Sequence, residues 1–158
     1  KSLPYKIFFI MEHKKILIVC LGNICRSPLA HGILNAKVNH LNIEVDSAGK
    51  SNYHIGYPPD PRIIAVGLKN NIYIRKQIAR SFSVNDFKVF SHIYVIDYNN
   101  HEDPILLASS IQEQLKVNYI LPNQENIPDP FYGGKEGFDQ CFSLLENACE
   151  LIVNILKK

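Results

Sequence analysis

No run of apolar residues in this chain approaches the roughly 18 needed to cross a membrane. Net charge is small: 17 Lys and Arg against 15 Asp and Glu leave +2 at pH 7. No basic stripe interleaved with aromatics offers a nucleic-acid footprint, so no nucleic acid is expected as a partner. Cysteine is scarce. Cys20, Cys25, Cys141 and Cys149 are few and unevenly placed, unlike a secreted disulfide framework, and a reducing cytoplasm is the expected setting. They lack paired Cys-x2-Cys spacing, and the last two sit in one helical segment, which speaks against zinc. Internal repeats and low-complexity tracts are also missing.

What is present suits a globular protein. The 158 residues, 46% hydrophobic, suffice for one domain with a full core. Near the N-terminus, Ile7-Phe8-Phe9-Ile10-Met11 is apolar but short. Glu12-His13-Lys14-Lys15 follows with no small-residue cleavage site, a poor fit to a signal peptide. Met11, the single methionine, is the expected natural start. Residues 1–10 then form an upstream extension or an expression remnant, and residues 11–158 one domain. Mass spectrometry of the native protein would decide this.

Strand-like and helix-like segments alternate. Residues 16–19 are a continuous apolar run, as in a central parallel strand covered on both faces. Ser27-Pro28 predicts a helix over residues 27–39, with Ser27 as N-cap and Pro28 as first helical residue. Residues 42–46 read as a second strand and 47–59 as a loop. Asp60-Pro61 opens a second helix that ends near Asn70. Residues 72–82 read as loop, 83–87 as a single helical turn and 92–96 as a third strand. Asp103-Pro104 predicts a third helix to about Leu115, 117–120 a fourth strand, and 121–134 a long polar loop. Phe138, Phe142, Leu145, Cys149, Ile152 and Leu156 recur at helical spacing and mark the last helix. This alternation implies an α/β fold, a doubly wound parallel sheet flanked by helices with right-handed crossovers. Ligands of such sheets bind at the carboxyl ends of the strands, where Cys20 falls.

The segment after the first strand is Cys20-Leu21-Gly22-Asn23-Ile24-Cys25-Arg26-Ser27-Pro28. A loop of this length between strand and helix can curl its N–H groups inward into an anion nest, reinforced by the helix N-terminus. Gly22 and Asn23 tolerate the left-handed angles of a tight curl. Arg26 offers a bidentate fork for two phosphate oxygens. The same positive surroundings should hold Cys20 as a thiolate near neutral pH. Ser27 can donate to that thiolate, or help the sulfur leave later. Cys25 is either a small apolar filler or a redox partner able to form a reversible disulfide with Cys20.

A cysteine attacking phosphorus needs a proton donor for the leaving oxygen. Asp129 lies in Ile127-Pro128-Asp129-Pro130-Phe131-Tyr132-Gly133-Gly134. Two other Asp-Pro pairs open helices, but Gly133-Gly134 would fall in the first turn, where each glycine costs about 1 kcal/mol. Asp129 is therefore expected on a structured loop above the pocket, with Phe131 and Tyr132 as walls that desolvate its carboxyl.

Together these motifs resemble the low-molecular-weight protein tyrosine phosphatases. The signature loop, Asp46-Ser47-Ala48-Gly49, His54-x-Gly56-x-Pro58, Asp60-Pro61-Arg62, Ile96-Asp97-x-x-Asn100 and Asp129-Pro130-Phe131-Tyr132-Gly133-Gly134 stand in that family's order. The resemblance implies a four-stranded parallel sheet and hydrolysis of phosphotyrosine or small aryl phosphates through a cysteinyl-phosphate, with no cofactor or metal. It implies Cys20 as nucleophile, Arg26 as phosphate clamp and Asp129 as general acid, then base. Leu21, Gly22, Asn23, Ile24, Cys25 and Ser27 would cradle the phosphate. An Asn23–Ser47 hydrogen bond would hold the loop, and Tyr53, Phe131 and Tyr132 would line the slot for the ring. A monomer or weak dimer is expected. Two departures stand out: Gln77 occupies a position where the family often has histidine, and Lys50 one where a small polar residue is common. Lys50 is read as a solvated surface lysine; at the pocket rim it would instead favour acidic substrates. His13, His31, His40, His92 and His101 are read as surface or structural, and His54 likewise, although it could border the pocket. The rival readings are a thioredoxin-coupled arsenate reductase of the same fold, which needs a cysteine relay, and a non-catalytic phosphotyrosine-binding module.

Overall fold

The computed structural model describes residues 13–97, 104–122 and 125–158. The expected start at Met11, the Asn100 of the third block and the Asp103 cap lie outside them. Strand β1 (Lys14–Cys20) runs through Ile16, Leu17, Ile18 and Val19, all without solvent exposure. Successive side chains point to opposite faces. Ile16, Ile18 and Cys20 enter one core cluster, while Leu17 and Val19 enter the other. A strand with both faces covered has no place for a polar side chain, hence the unbroken apolar run.

The sheet is parallel throughout, in the order β2-β1-β3-β4, with β2 (Ile43–Gly49), β3 (His92–Val95) and β4 (Val117–Tyr119). The larger core cluster lies between the sheet and the helices α1 (Arg26–Val38), α2 (Pro61–Lys69) and α5 (Lys135–Leu156). The short α3 (Asp86–Val89) brings Phe87 to the cluster on the opposite face. A second short helix, α4 (Ile111–Gln114), precedes β4. This is the expected four-stranded, doubly wound arrangement.

Several boundaries differ from the sequence reading. β2 continues through Ser47, Ala48 and Gly49, because these residues pair with Ile18, Val19 and Cys20 of the central strand. The expected third helix is broken. A 3₁₀ turn (Pro104–Leu107) ends before Ser109-Ser110, and α4 starts afresh. Ser110 Oγ accepts from Glu113 N at 3.2 Å, and the Glu113 carboxylate accepts from Ser109 N at 2.8 Å, so paired caps restart the helix. Ser27 is not the cap of α1. That helix begins at Arg26, with Cys25 at the cap position and no side-chain cap, because the Ser27 hydroxyl is committed elsewhere.

Candidate active site

Cys20 ends the central strand at the edge where α1 begins. Its sulfur lies 3.0 Å from Ser27 Oγ and accepts from Ser27 N at 3.4 Å. First-turn N–H groups of an uncapped helix lack internal partners, and here one of them is aimed at the sulfur. The carbonyls of Cys20, Leu21 and Ile24 face away, accepting from Lys50 N, Ser51 N and Asp60 N at 2.7–2.9 Å. N–H and C=O of one planar peptide point in opposite directions, so the N–H groups of Leu21, Gly22 and Cys25 turn toward the concave side. That is the anion nest expected from the sequence.

Asn23 takes the left-handed angle, with φ 58°. Gly22 is not positive in φ. It serves by having no side chain, since a Cβ there would come within 2.9 Å of His54 Cδ2. Gly49 allows the loop to lie flat on β2, because its Cβ would sit 3.0 Å from the carbonyl carbon of Gly22 and the oxygen of Leu21. Asn23 Nδ2 donates to Ser27 Oγ at 2.8 Å and to Ser47 Oγ at 3.0 Å.

The sulfur sits at the floor of a cavity of about 160 Å³. Leu21, Gly22, Ile24, Cys25, Arg26, Ser51, Tyr53, His54, Asp129 and Phe131 complete its lining. Cys20 is only 2% exposed, packed into the larger core cluster on one side and lining this cavity on the other. Tyr53, 75% exposed, stands at the rim. Tyr132 closes the 3₁₀ turn Pro130–Tyr132; its side chain lies outside the described set. His54, read from the sequence as structural, lines the cavity.

Arg26 is almost fully buried. Its Nη1 donates to Ile127 O at 2.9 Å and pairs with Asp97 Oδ2 at 2.7 Å, and its Nη2 lies 3.4 Å from Asp129 Oδ2. Burial alone would push the guanidinium pKa down, but the charges of Cys20, Asp97 and Asp129 more than offset it and hold it above the ordinary value. Asp129 accepts from Phe131 N at 2.9 Å through Oδ1. It therefore caps the 3₁₀ turn and faces the pocket at once, combining the two readings the sequence had set against each other. The glycines keep α5 from starting before Lys135.

Lys50 is not a solvated lysine. Its side chain is fully buried and donates to Asp97 O at 2.6 Å and Asp97 Oδ1 at 3.1 Å. Asp97, to which the sequence reading gave no role, thus joins Lys50 to Arg26. Burial raises its pKa, but Arg26 and Lys50 outweigh burial and hold the carboxylate below its usual range. One available signal was its place just beyond β3, beside the end of β1. Lys50→Met should cost about 1–3 kcal/mol in denaturant unfolding, since a half-buried carboxylate loses one of two cationic partners. An unchanged unfolding midpoint would show that the lysine adds nothing net.

Sulfur, guanidinium and carboxyl around one cavity, at the carboxyl ends of parallel strands, define a cysteine-based anion site of the phosphatase class. A profile of the family described as low molecular weight phosphotyrosine protein phosphatase matches residues 15–158. The low molecular weight phosphotyrosine protein phosphatase of Schizosaccharomyces pombe is 37% identical, over 81% of this chain and 87% of the relative. A crystal structure of a protein tyrosine phosphatase from Entamoeba histolytica with Hepes in its active site superposes with TM-score 0.80. It shows 34% identity and covers 91% of this chain and 97% of that one. Vibrio vulnificus Wzb in complex with benzylphosphonate gives TM-score 0.82 at 27% identity, over 90% and 99% of the two chains. This chain belongs to the low molecular weight phosphotyrosine protein phosphatase family.

Proposed function

We propose that the protein hydrolyses phosphotyrosine and other aryl phosphate monoesters through a cysteinyl-phosphate intermediate. The observation that carries this reading is the Cys20 sulfur at the cavity floor, 3.0 Å from Ser27 Oγ and beside the buried Arg26. Cys20 Sγ attacks phosphorus in line, and the S–P bond forms as the P–O bond to the phenol breaks. Arg26 and the loop amides bind the equatorial oxygens, supplying charge stabilisation without a metal. Asp129 gives its proton to the phenolate oxygen. It then takes a proton from the water that attacks the thiophosphate, releasing inorganic phosphate and the free thiolate. Ser27, donating to sulfur, eases that departure.

A relay of thiols finds little support. Cys25, Cys141 and Cys149 are buried, and burial pushes Cys141 and Cys149 up to about 12 and Cys25 above its ordinary value as well. No helix among the described residues is long and apolar enough to cross a membrane. The same reading places the enzyme in a reducing cytoplasm, as a monomer or weak dimer, acting on a phosphotyrosine-bearing protein or a small aryl phosphate. Four free thiols among the described residues suit the reducing setting.

The acid is tested by Asp129→Asn, which keeps an oxygen for the Phe131 N–H. On phosphotyrosine, a poor leaving group, kcat/KM should fall by about 10²–10⁴. On p-nitrophenyl phosphate, whose phenolate leaves unaided, the loss should be much smaller. Equal losses on both substrates would remove Asp129 from the acid role.

A further inference from the structure

The backbone N–H of Arg80 donates to Asn23 Oδ1 at 3.0 Å. That bond fixes which end of the Asn23 amide is oxygen, so its NH₂ end must face Ser27 and Ser47, giving one hydrogen to each hydroxyl. Each serine oxygen already accepts from Asn23, which leaves its own O–H free to donate onward. Ser27 has the Cys20 sulfur at 3.0 Å. Ser47 has His31 Nδ1 at 3.3 Å.

We infer that His31, in its Nε2–H tautomer, is a positioning residue for the nucleophile. By accepting the Ser47 hydroxyl proton, it orients a hydrogen-bond relay running from Asn23 in both directions, with one arm ending on the Cys20 sulfur. The inference rests on the phosphatase reading for its catalytic meaning, not for its geometry.

The surroundings favour the neutral ring. Burial pushes the His31 pKa below its ordinary value, against the opposing pull of Asp46, the Gln77 side chain and the Val45 backbone. Asp46 is itself paired with Arg80 at 3.0 Å, which tempers its effect on the ring. Gln77 Nε2 is spent on Pro28 O at 3.0 Å. Its buried Oε1 has no hydrogen-bond partner among the described residues, and the Gln77 side chain and the Val45 backbone both favour an N–H on the His31 ring, whose Nδ1 is turned to Ser47. A donor at Nε2 suits that oxygen, leaving Nδ1 as the acceptor. Were Nδ1 protonated, it would compete with Asn23 for the lone pairs of Ser47, and the Ser47 hydrogen would need another acceptor. Gln77, where related chains often carry histidine, thus supports an imidazole that arrives from α1 instead.

The test uses the full chain and alkylation by iodoacetamide between pH 5 and 8, which reads the reactive sulfur whether or not the protein turns over phosphate. Cys141 and Cys149 belong to the core face of α5 and do not line the cavity, and peptide mapping of the alkylated chain assigns the label to Cys20 rather than to Cys25. His31→Leu, or His31→Met should the leucine chain not fold, removes the acceptor. Alkylation at pH 6 should slow about three- to tenfold, the whole profile moving to higher pH. His31→Asn, which offers an oxygen near the Nδ1 position, should recover to within about twofold of wild type. In a Ser47→Ala background, His31→Leu should cost nothing further. Turnover of p-nitrophenyl phosphate should follow with kcat reduced and KM little changed. An alkylation profile for folded His31→Leu or His31→Met that overlays wild type overturns the inference, as does additivity with Ser47→Ala. If alkylation shifts as expected but wild type releases no phosphate, the relay stands and the phosphatase reading falls.

Discussion

Cys20→Ser should lose p-nitrophenyl phosphate turnover by a factor on the order of 10⁴–10⁶ while the fold and phosphate binding persist. The serine oxygen would occupy the place of a sulfur that now lies 3.0 Å from Ser27 Oγ and 3.4 Å from Ser27 N. Those donors stabilise an anion. A serine hydroxyl does not ionise near neutral pH, and among the described residues the position is bonded only by Ser27, not by a general base of the kind a hydroxyl nucleophile needs. The amide nest and Arg26 do not depend on the sulfur, since Arg26 is held by Asp97 and Ile127 O. The variant should therefore bind vanadate or inorganic phosphate within a few-fold of wild type by calorimetry, and bind phosphotyrosine without releasing phosphate. Turnover within a hundredfold of wild type would refute a sulfur nucleophile. The same comparison separates the enzyme from a binding module, because a module would show no difference in phosphate release between the two proteins.

Much of this arrangement is written locally. A strand whose residues 16–19 are all apolar belongs at the centre of the sheet, and the cysteine that ends it lies at the edge where α/β sheets bind ligands. Asn23 is the residue type that accepts φ 58°. Asp60-Pro61 is a cap whose bond to Arg62 N, 2.8 Å long, spans two residues. Such signals act over a few positions, and the sequence shows them. The second ring of the site is not local. Arg26 reaches Asp97 and Ile127 across 71 and 101 positions, and His31 reaches Ser47 from a different element. Lys50 looked solvated because lysine usually is. Its burial became legible only once the chain was folded, when Asp97 appeared beside it to satisfy the charge. The helix register at Ser27 failed for a related reason. A Ser-Pro pair proposes a cap, but the hydroxyl had a stronger claim from Asn23 and the sulfur.

Arg26→Lys should lower kcat/KM by about 10²–10³ although the charge is kept. One guanidinium now spans Asp97, Ile127 O and Asp129, and a planar fork can keep one nitrogen on its anchors while offering another to the phosphate. An ammonium is a point donor on a flexible stem and cannot serve both. Arg26→Met should lose still more, and it brings a second, independent signature. Asp97 is held below its usual range by Arg26 and Lys50 against the effect of burial. A carboxylate with a depressed folded pKa contributes stability above its unfolded value, near pH 4, and that contribution is lost as pH falls through the folded value. Without Arg26 only Lys50 opposes burial, so the Asp97 pKa rises and acid unfolding of Arg26→Met should begin at higher pH than in wild type. Following circular dichroism from pH 7 to pH 2 would show it. An unchanged acid transition would mean that Lys50 alone holds Asp97, and that the guanidinium acts on the phosphate without helping to set the charge beneath it.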